Sequence, residues 1–195
     1  MISVIIPTQN SERVLVSTLA AVVPGSTAGL VREVILADGG STDETAKIAD
    51  AAGCEFLPGP EEEGARLRAA AASARGDWLL FLRPDGILDE GWTREVAAFL
   101  ATVARAGESS ERAGAFKLAI DGFGWAPRIA EAAAAVRLAL LGRPRPDQGL
   151  LISKQFYETL GGHTPGASSQ ARLLVGIGRR RMVMLRTRVA LSGGG

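Results

Sequence analysis

Glu33-Val34-Ile35-Leu36-Ala37-Asp38-Gly39-Gly40-Ser41-Thr42-Asp43-Glu44-Thr45 is the stretch that decides the fold. An apolar, β-branched run stops at Asp38, and two glycines then allow a sharp turn. Ser41 and Glu44 have the spacing of a helix capping box. The segment reads as a strand, a carboxylate at its C-terminal tip and a helix that starts at once. In open α/β sheets ligands bind at that edge. Asp38 therefore stands where a ligand would be read, although an aspartate before glycine also caps its own turn.

Outward from this segment, strand and helix signals alternate. Strands are expected over Ile2 to Ile6, Glu33 to Ala37, Glu55 to Leu57 and Trp78 to Leu82. Helices are expected between them, over Ser11 to Val23, Asp43 to Ala52 and Glu62 to Ala74. This alternation predicts right-handed βαβ units in an α/β fold, with a mainly parallel sheet flanked by helices. After Arg83 the regularity loosens. A helix over Trp92 to Arg105 precedes a strand over Ala113 to Ile120, whose alternation suggests an antiparallel or edge position. A helix over Ala126 to Leu141 and a stiff Gly142-to-Pro146 turn follow. A strand near Leu150 to Ile152, helices over Lys154 to Leu160 and Gln170 to Ile177, and a strand over Met182 to Arg186 complete the series.

The chain has 195 residues, enough for one sizeable domain over 1–191, with 192–195 as a flexible tail. A net charge of +1 argues against a nucleic-acid surface. The single cysteine, Cys54, excludes an internal disulfide and a cysteine-based zinc site, which suits a cytoplasmic setting. No signal peptide or spanning segment is read, so any membrane contact would be peripheral, at the inner face. The arginines from Arg143 to Arg188 could approach anionic headgroups, or form an ordinary solvated surface.

No G-x-G-x-x-G follows the first strand, and no phosphate-binding G-x-x-x-x-G-K-[ST] occurs. Pro7-Thr8-Gln9-Asn10 stands there instead, a polar turn suited to a base or ribose. It lacks the Gly-rich loop that a sugar-phosphate nucleotidyltransferase would need.

Taken with Ser3 to Asn10, the Glu33-to-Thr45 segment resembles the N-terminal half of the family 2 glycosyltransferases, of GT-A fold. The likeness extends through Arg75-Gly76-Asp77-Trp78-Leu79-Leu80-Phe81-Leu82, Gly114-Ala115-Phe116-Lys117 and Asp147-Gln148-Gly149-Leu150, in the family's order. The resemblance implies a nucleotide-diphospho-sugar donor across the strand tips and a hexosyl transfer, with inversion, to an acceptor that the sequence does not identify. It implies nucleotide binding by Pro7, Thr8, Asn10, Asp38 and Gly39, with Arg66 reaching the diphosphate. It also implies a divalent cation, Mg or Mn, on the leaving diphosphate, and a carboxylate base on the acceptor side.

The chain departs from that pattern in three places. Relatives carry His-Ala-Asp or Asp-x-Asp where this sequence has Arg83-Pro84-Asp85, so Asp85 is the remaining metal ligand, or a turn residue. The acidic pair that supplies the base should fall near Ser169-Gln170-Ala171, where no side chain can take a proton. His163 and Asp147 are the substitutes on offer, with Asp147 and Gln148 expected on the acceptor side. Third, relatives have Gly-Arg and then Gln-x-Asn in the helix after the third strand, where this chain reads Glu62-Glu63-Gly64-Ala65-Arg66-Leu67-Arg68. A lost arginine and a gained Glu63 should weaken anion binding, although Arg66 and Arg68 could compensate. The alternative expectation is a catalytically impaired paralogue that works as a nucleotide-sugar-binding or interaction protein.

Overall fold

Residues 1–120, 146–166 and 168–192 are described by the computed structural model. The expected helix over 126–141, the turn residues 142–145 and Gly193 to Gly195 lie outside the described residues.

Four strands carry one edge of the molecule: β1 (Ile2–Thr8), β2 (Val31–Asp38), β3 (Glu55–Pro58) and β4 (Trp78–Phe81). They run parallel in the order β3-β2-β1-β4. Every residue of β1 is buried, as expected of a parallel strand covered on both faces. The helices α1 (Glu12–Thr27), α2 (Thr45–Ala51) and α3 (Glu63–Ser73) make the crossovers. All four strands therefore present their C-terminal tips along one edge.

The sheet continues past β4 through β7 (Leu150–Ser153), β6 (Ala113–Ile120), β8 (Met182–Leu191) and β5 (Gly86–Leu88). Here β7 is antiparallel to both β4 and β6, and β5 is antiparallel to β8. The remaining helices are α4 (Trp92–Ala106), α5 (Lys154–Thr159) and α6 (Ser169–Ile177). No helix among the described residues is long and apolar enough to cross a membrane.

The two-residue period of the strands sends side chains to opposite faces. Ile2, Val4 and Ile6 of β1 pack with Leu15, Leu19 and Val22 of α1 and with Trp92, Val96 and Phe99 of α4. Ile5, Ile35 and Phe81 face the other way, onto Leu67, Ala70 and Ala71 of α3 and onto Phe156, Leu173 and Ile177.

Several elements differ from expectation, each for a physical reason. Helix α1 continues through Pro24 to Thr27. Trp92 explains this extension: its indole donates to the Ala21 carbonyl at 3.0 Å and its ring fills the space beside Gly25. Strand β6 is interior, antiparallel to β7 and parallel to β8. Strand β5 was unreadable because three residues after a Pro-Asp-Gly turn carry no period. It exists only because β8, longer than expected, returns to pair with it. The expected capping box does not form, since Ser41 Oγ donates to Asp38 and α2 starts at Thr45. Ser192 is also no loose tail, because its N–H donates to the Asp85 carbonyl at 3.0 Å.

Trp92 is 2% exposed and joins α4 to α1. Trp92→Ala should cost about 3–5 kcal/mol, read as a fall in the urea unfolding midpoint at unchanged slope.

Candidate functional site

The loops after β1 and β2 are knitted into one body. Asp38, 2% exposed at the tip of β2, accepts from Thr8 Oγ1 at 2.9 Å, Gly40 N at 2.9 Å, Ser41 N at 2.8 Å and Ser41 Oγ. A carboxylate has about four acceptor positions, so all are filled by the turn itself and by Thr8 of β1. Of the two roles open to Asp38, this geometry realises the cap, and a base would reach the carboxylate only by displacing one of these donors. Burial pushes the Asp38 pKa up, but the bonds from Ser41, Thr8 and Gly40 outweigh it and hold the group below its ordinary 3.8.

Asn10, at φ 49°, completes the joint. Its N–H donates to Ser41 Oγ at 2.8 Å, and its side-chain oxygen accepts from Thr42 N at 2.8 Å. Ser11 N donates to Thr45 Oγ1 at 3.0 Å, and Glu12 N to Asp43 Oδ2 at 3.0 Å. Pro7 is buried in β1 opposite Ala37. Asn10 therefore joins two loops rather than projecting freely.

Arg66 lies behind this joint. It is 5% exposed on α3, between Gly39 and Gly59. A Cβ on Gly39 would come within 2.8 Å of Nη1, so only glycine lets the guanidinium sit against the β2 tip. Nη1 donates to the Glu61 carbonyl. Nε has no partner among the described residues, a costly state for a buried N–H. Arg68 does not assist, since residues two apart on a helix do not face each other, and it borders a separate hollow with Tyr157.

At the tip of β4, Arg83 holds Asp85 with two bonds, Nε to Oδ1 at 2.7 Å and Nη2 to Oδ2 at 3.0 Å. The Arg83 pKa is raised first by this hydrogen bonding, against burial, and then by the charges of Asp85, Asp147 and Glu63. The β4 tip is thus a paired guanidinium and carboxylate, with the charges of Asp147 and Glu63 felt at the guanidinium. The turn is braced from both sides, by Thr18 Oγ1 on the Pro84 carbonyl at 2.7 Å and by Ser192 on the Asp85 carbonyl. Gln148 is 3% exposed and donates to the Phe116 carbonyl at 3.2 Å, so it anchors the turn to β6. No group of three or more His, Cys, Asp or Glu among the described residues could hold a metal ion.

The histidine corrects an expectation. His163 is 0% exposed, its ring edge-on to Phe81 at 4.7 Å, with Nδ1 2.9 Å from Tyr157 Oη. Burial lowers its pKa to about 4, with only the charge of Glu62 opposing. A sealed imidazole that resists protonation is a core residue and not an acceptor-side base. Beside it lies a cleft of about 470 Å³ between the first turns of α3 and α6, lined by Glu62, Glu63, Ser169, Gln170 and Ala171 among others. Glu62 caps α3 by accepting from Gly64 N and Ala65 N, and it latches the facing loop through Gly166 N at 3.1 Å. The Ser/Thr/Asp/Asn preference at such caps hid this role from the sequence.

Comparison with known proteins matches residues 3–110 to the profile of Glycosyl transferase family 2. Curated protein sequences return no match. Among solved structures, glucosyl-3-phosphoglycerate synthase from Mycobacterium tuberculosis, in complex with Mn2+, uridine diphosphate and glucosyl-3-phosphoglycerate, superposes with a TM-score of 0.68 at 24% identity. The match covers 100% of this chain and 73% of that one. The same enzyme with Mg2+ and uridine diphosphate gives 0.66 at 22% identity, covering 100% and 72%. A further mycobacterial protein gives 0.67 at 21% identity, covering 100% and 68%. Likeness at this identity is likeness of fold, here the GT-A arrangement.

His163 also provides a pH test. Its folded pKa lies below the ordinary 6.5, so the unfolded chain binds the extra proton and stability is lost as pH falls from about 6.5 towards 4. Between pH 7 and pH 5 urea unfolding of the native chain should lose roughly 2 kcal/mol that His163→Phe retains.

Proposed function

Because this chain belongs to glycosyltransferase family 2, we propose that it moves a sugar from a nucleotide-diphosphate donor to an acceptor hydroxyl, with inversion at the anomeric carbon. The observation that carries the donor reading is Arg66, a buried guanidinium with an unpartnered Nε behind the tips of β2 and β3. A carbonyl of a base or an oxygen of a diphosphate would satisfy that N–H. Pro7, Thr8, Asn10, Asp38 and Gly39 form the rigid floor on which a nucleoside would rest. Asp38 then acts as the fastener of that floor, holding Thr8 and the Gly40-Ser41 turn in place.

Asp85 is the residue we assign to a divalent cation. Magnesium is commonly bound by one or two carboxylates together with substrate phosphate oxygens, and Asp85 fits that mode once Arg83 releases it. Bound there, the ion would neutralise the leaving diphosphate as a Lewis acid. The complexes of glucosyl-3-phosphoglycerate synthase with Mn2+ or Mg2+ and uridine diphosphate support this reading. Arg83, already paired at the same tip, contributes positive charge beside the leaving group. Asp147 borders the acceptor side, on the turn that the buried Gln148 anchors to β6, so Gln148 supports that side without reaching an acceptor.

A binding protein without turnover is the second reading. What favours it is the Arg83–Asp85 pair, together with Gln170 and Ala171 where relatives carry acids. Calorimetry with uridine and guanosine diphosphate sugars separates the two. Manganese should tighten the preferred donor by about tenfold, or ~1.4 kcal/mol, and Asp85→Asn should abolish that gain. Donor binding that ignores manganese, with no sugar released, would favour the second reading.

A further inference from the structure

The geometry points to Glu63 as the carboxylate that takes the acceptor hydroxyl's proton, and to a neutral or amine-bearing acceptor in the cleft between α3 and α6. This inference rests on the transferase reading above and assigns the base that the chain otherwise lacks.

Gln170 and Ala171 line the α6 wall of the cleft. Neither can accept a proton. On the opposite wall stand Glu62 and Glu63. Glu62 is fully engaged in its cap and in the latch to Gly166. Glu63 is exposed, and no hydrogen bond or ion pair engages its carboxylate among the described residues. Glu63 opens α3 directly after the β3 tip, on the same edge at which the donor's leaving group would sit.

A second feature marks the cleft as a place for a ligand. Ser169 lines it and is 7% exposed, yet its hydroxyl has no partner among the described residues. A buried hydroxyl without a partner is stabilised by an incoming polar group. The first turns of α3 and α6 both border the cleft.

The step is balanced: Glu63 receives the hydroxyl proton, the acceptor oxygen bonds to the anomeric carbon, and the bond from that carbon to the diphosphate breaks. The electron pair leaves with the diphosphate.

The same lining limits the acceptor. Among the described residues, two carboxylates and no lysine or arginine border the cleft. Arg172, the nearest cation on α6, is tied to Thr164 Oγ1 at 3.0 Å and to the Pro165 carbonyl at 2.7 Å. An anionic acceptor such as phosphoglycerate would meet repulsion there, unlike in the synthase whose fold this chain shares.

The test uses the full chain with manganese and the uridine or guanosine diphosphate sugar that it binds best. Sugar release is measured with water, methyl glucoside and 3-phosphoglycerate as acceptors. Glu63→Gln should lower release by roughly 10²- to 10⁴-fold while donor affinity stays within about twofold. Adding Gln170→Glu to that variant should restore at least about tenfold, which a structural role for Glu63 would not allow. Phosphoglycerate should not exceed water. If Glu63→Gln keeps turnover, if the wild-type chain binds a donor without releasing sugar, or if phosphoglycerate is the best acceptor, this inference fails while the donor reading stands. Failure of the wild-type chain to bind any donor overturns both.

Discussion

The structure turns on the hydrogen bonding that closes the loop after β1 onto the loop after β2. Thr8, Gly40 and Ser41 converge on the Asp38 carboxylate, while Asn10 reaches across to Ser41 and Thr42. Neighbouring parallel strands bring their tips together, but their loops need a separate cause to stay in register. Buried charge-assisted bonds supply it. Everything at the functional edge is referenced to this joint: Arg66 packs on its underside at Gly39, and α1 and α2 both spring from it.

This joint explains what could be read from the sequence. The strand that ends at Asp38 was legible because burial on both faces leaves a continuous apolar run, and the glycines mark the turn. The site residues proposed above rest on the ordered family motifs. Their partners do not. That Asp38 is saturated, and that Asn10 ties two loops, depends on contacts about 30 residues apart, which no local pattern encodes. His163 shows the same limit. A lone histidine after Gly161-Gly162 resembles an exposed loop residue until Phe81 and Tyr157, from separate elements, close around it.

Charge of both signs stands along the edge. The tip of β4 carries the Arg83 guanidinium beside Asp85, and Glu63 opens α3. Opposite signs placed near one another temper each group's field while keeping both within reach of a polar ligand. Single substitutions in this cluster therefore act on several groups at once, and their energies will not add.

The bond from Ser192 to the Asp85 carbonyl has a consequence for the order in which the molecule assembles. The parallel core from β1 to β4 is complete in the first half of the chain and can condense early. The Arg83-Pro84-Asp85 turn cannot settle until β8 has been made and has paired with β5, a closure spanning more than 100 residues. During synthesis the joint between the loops after β1 and β2 would exist before the acidic turn beside it. A truncated or stalled chain would present a shaped surface whose chemistry is unfinished, which makes arrival of the last strand the event that completes the site.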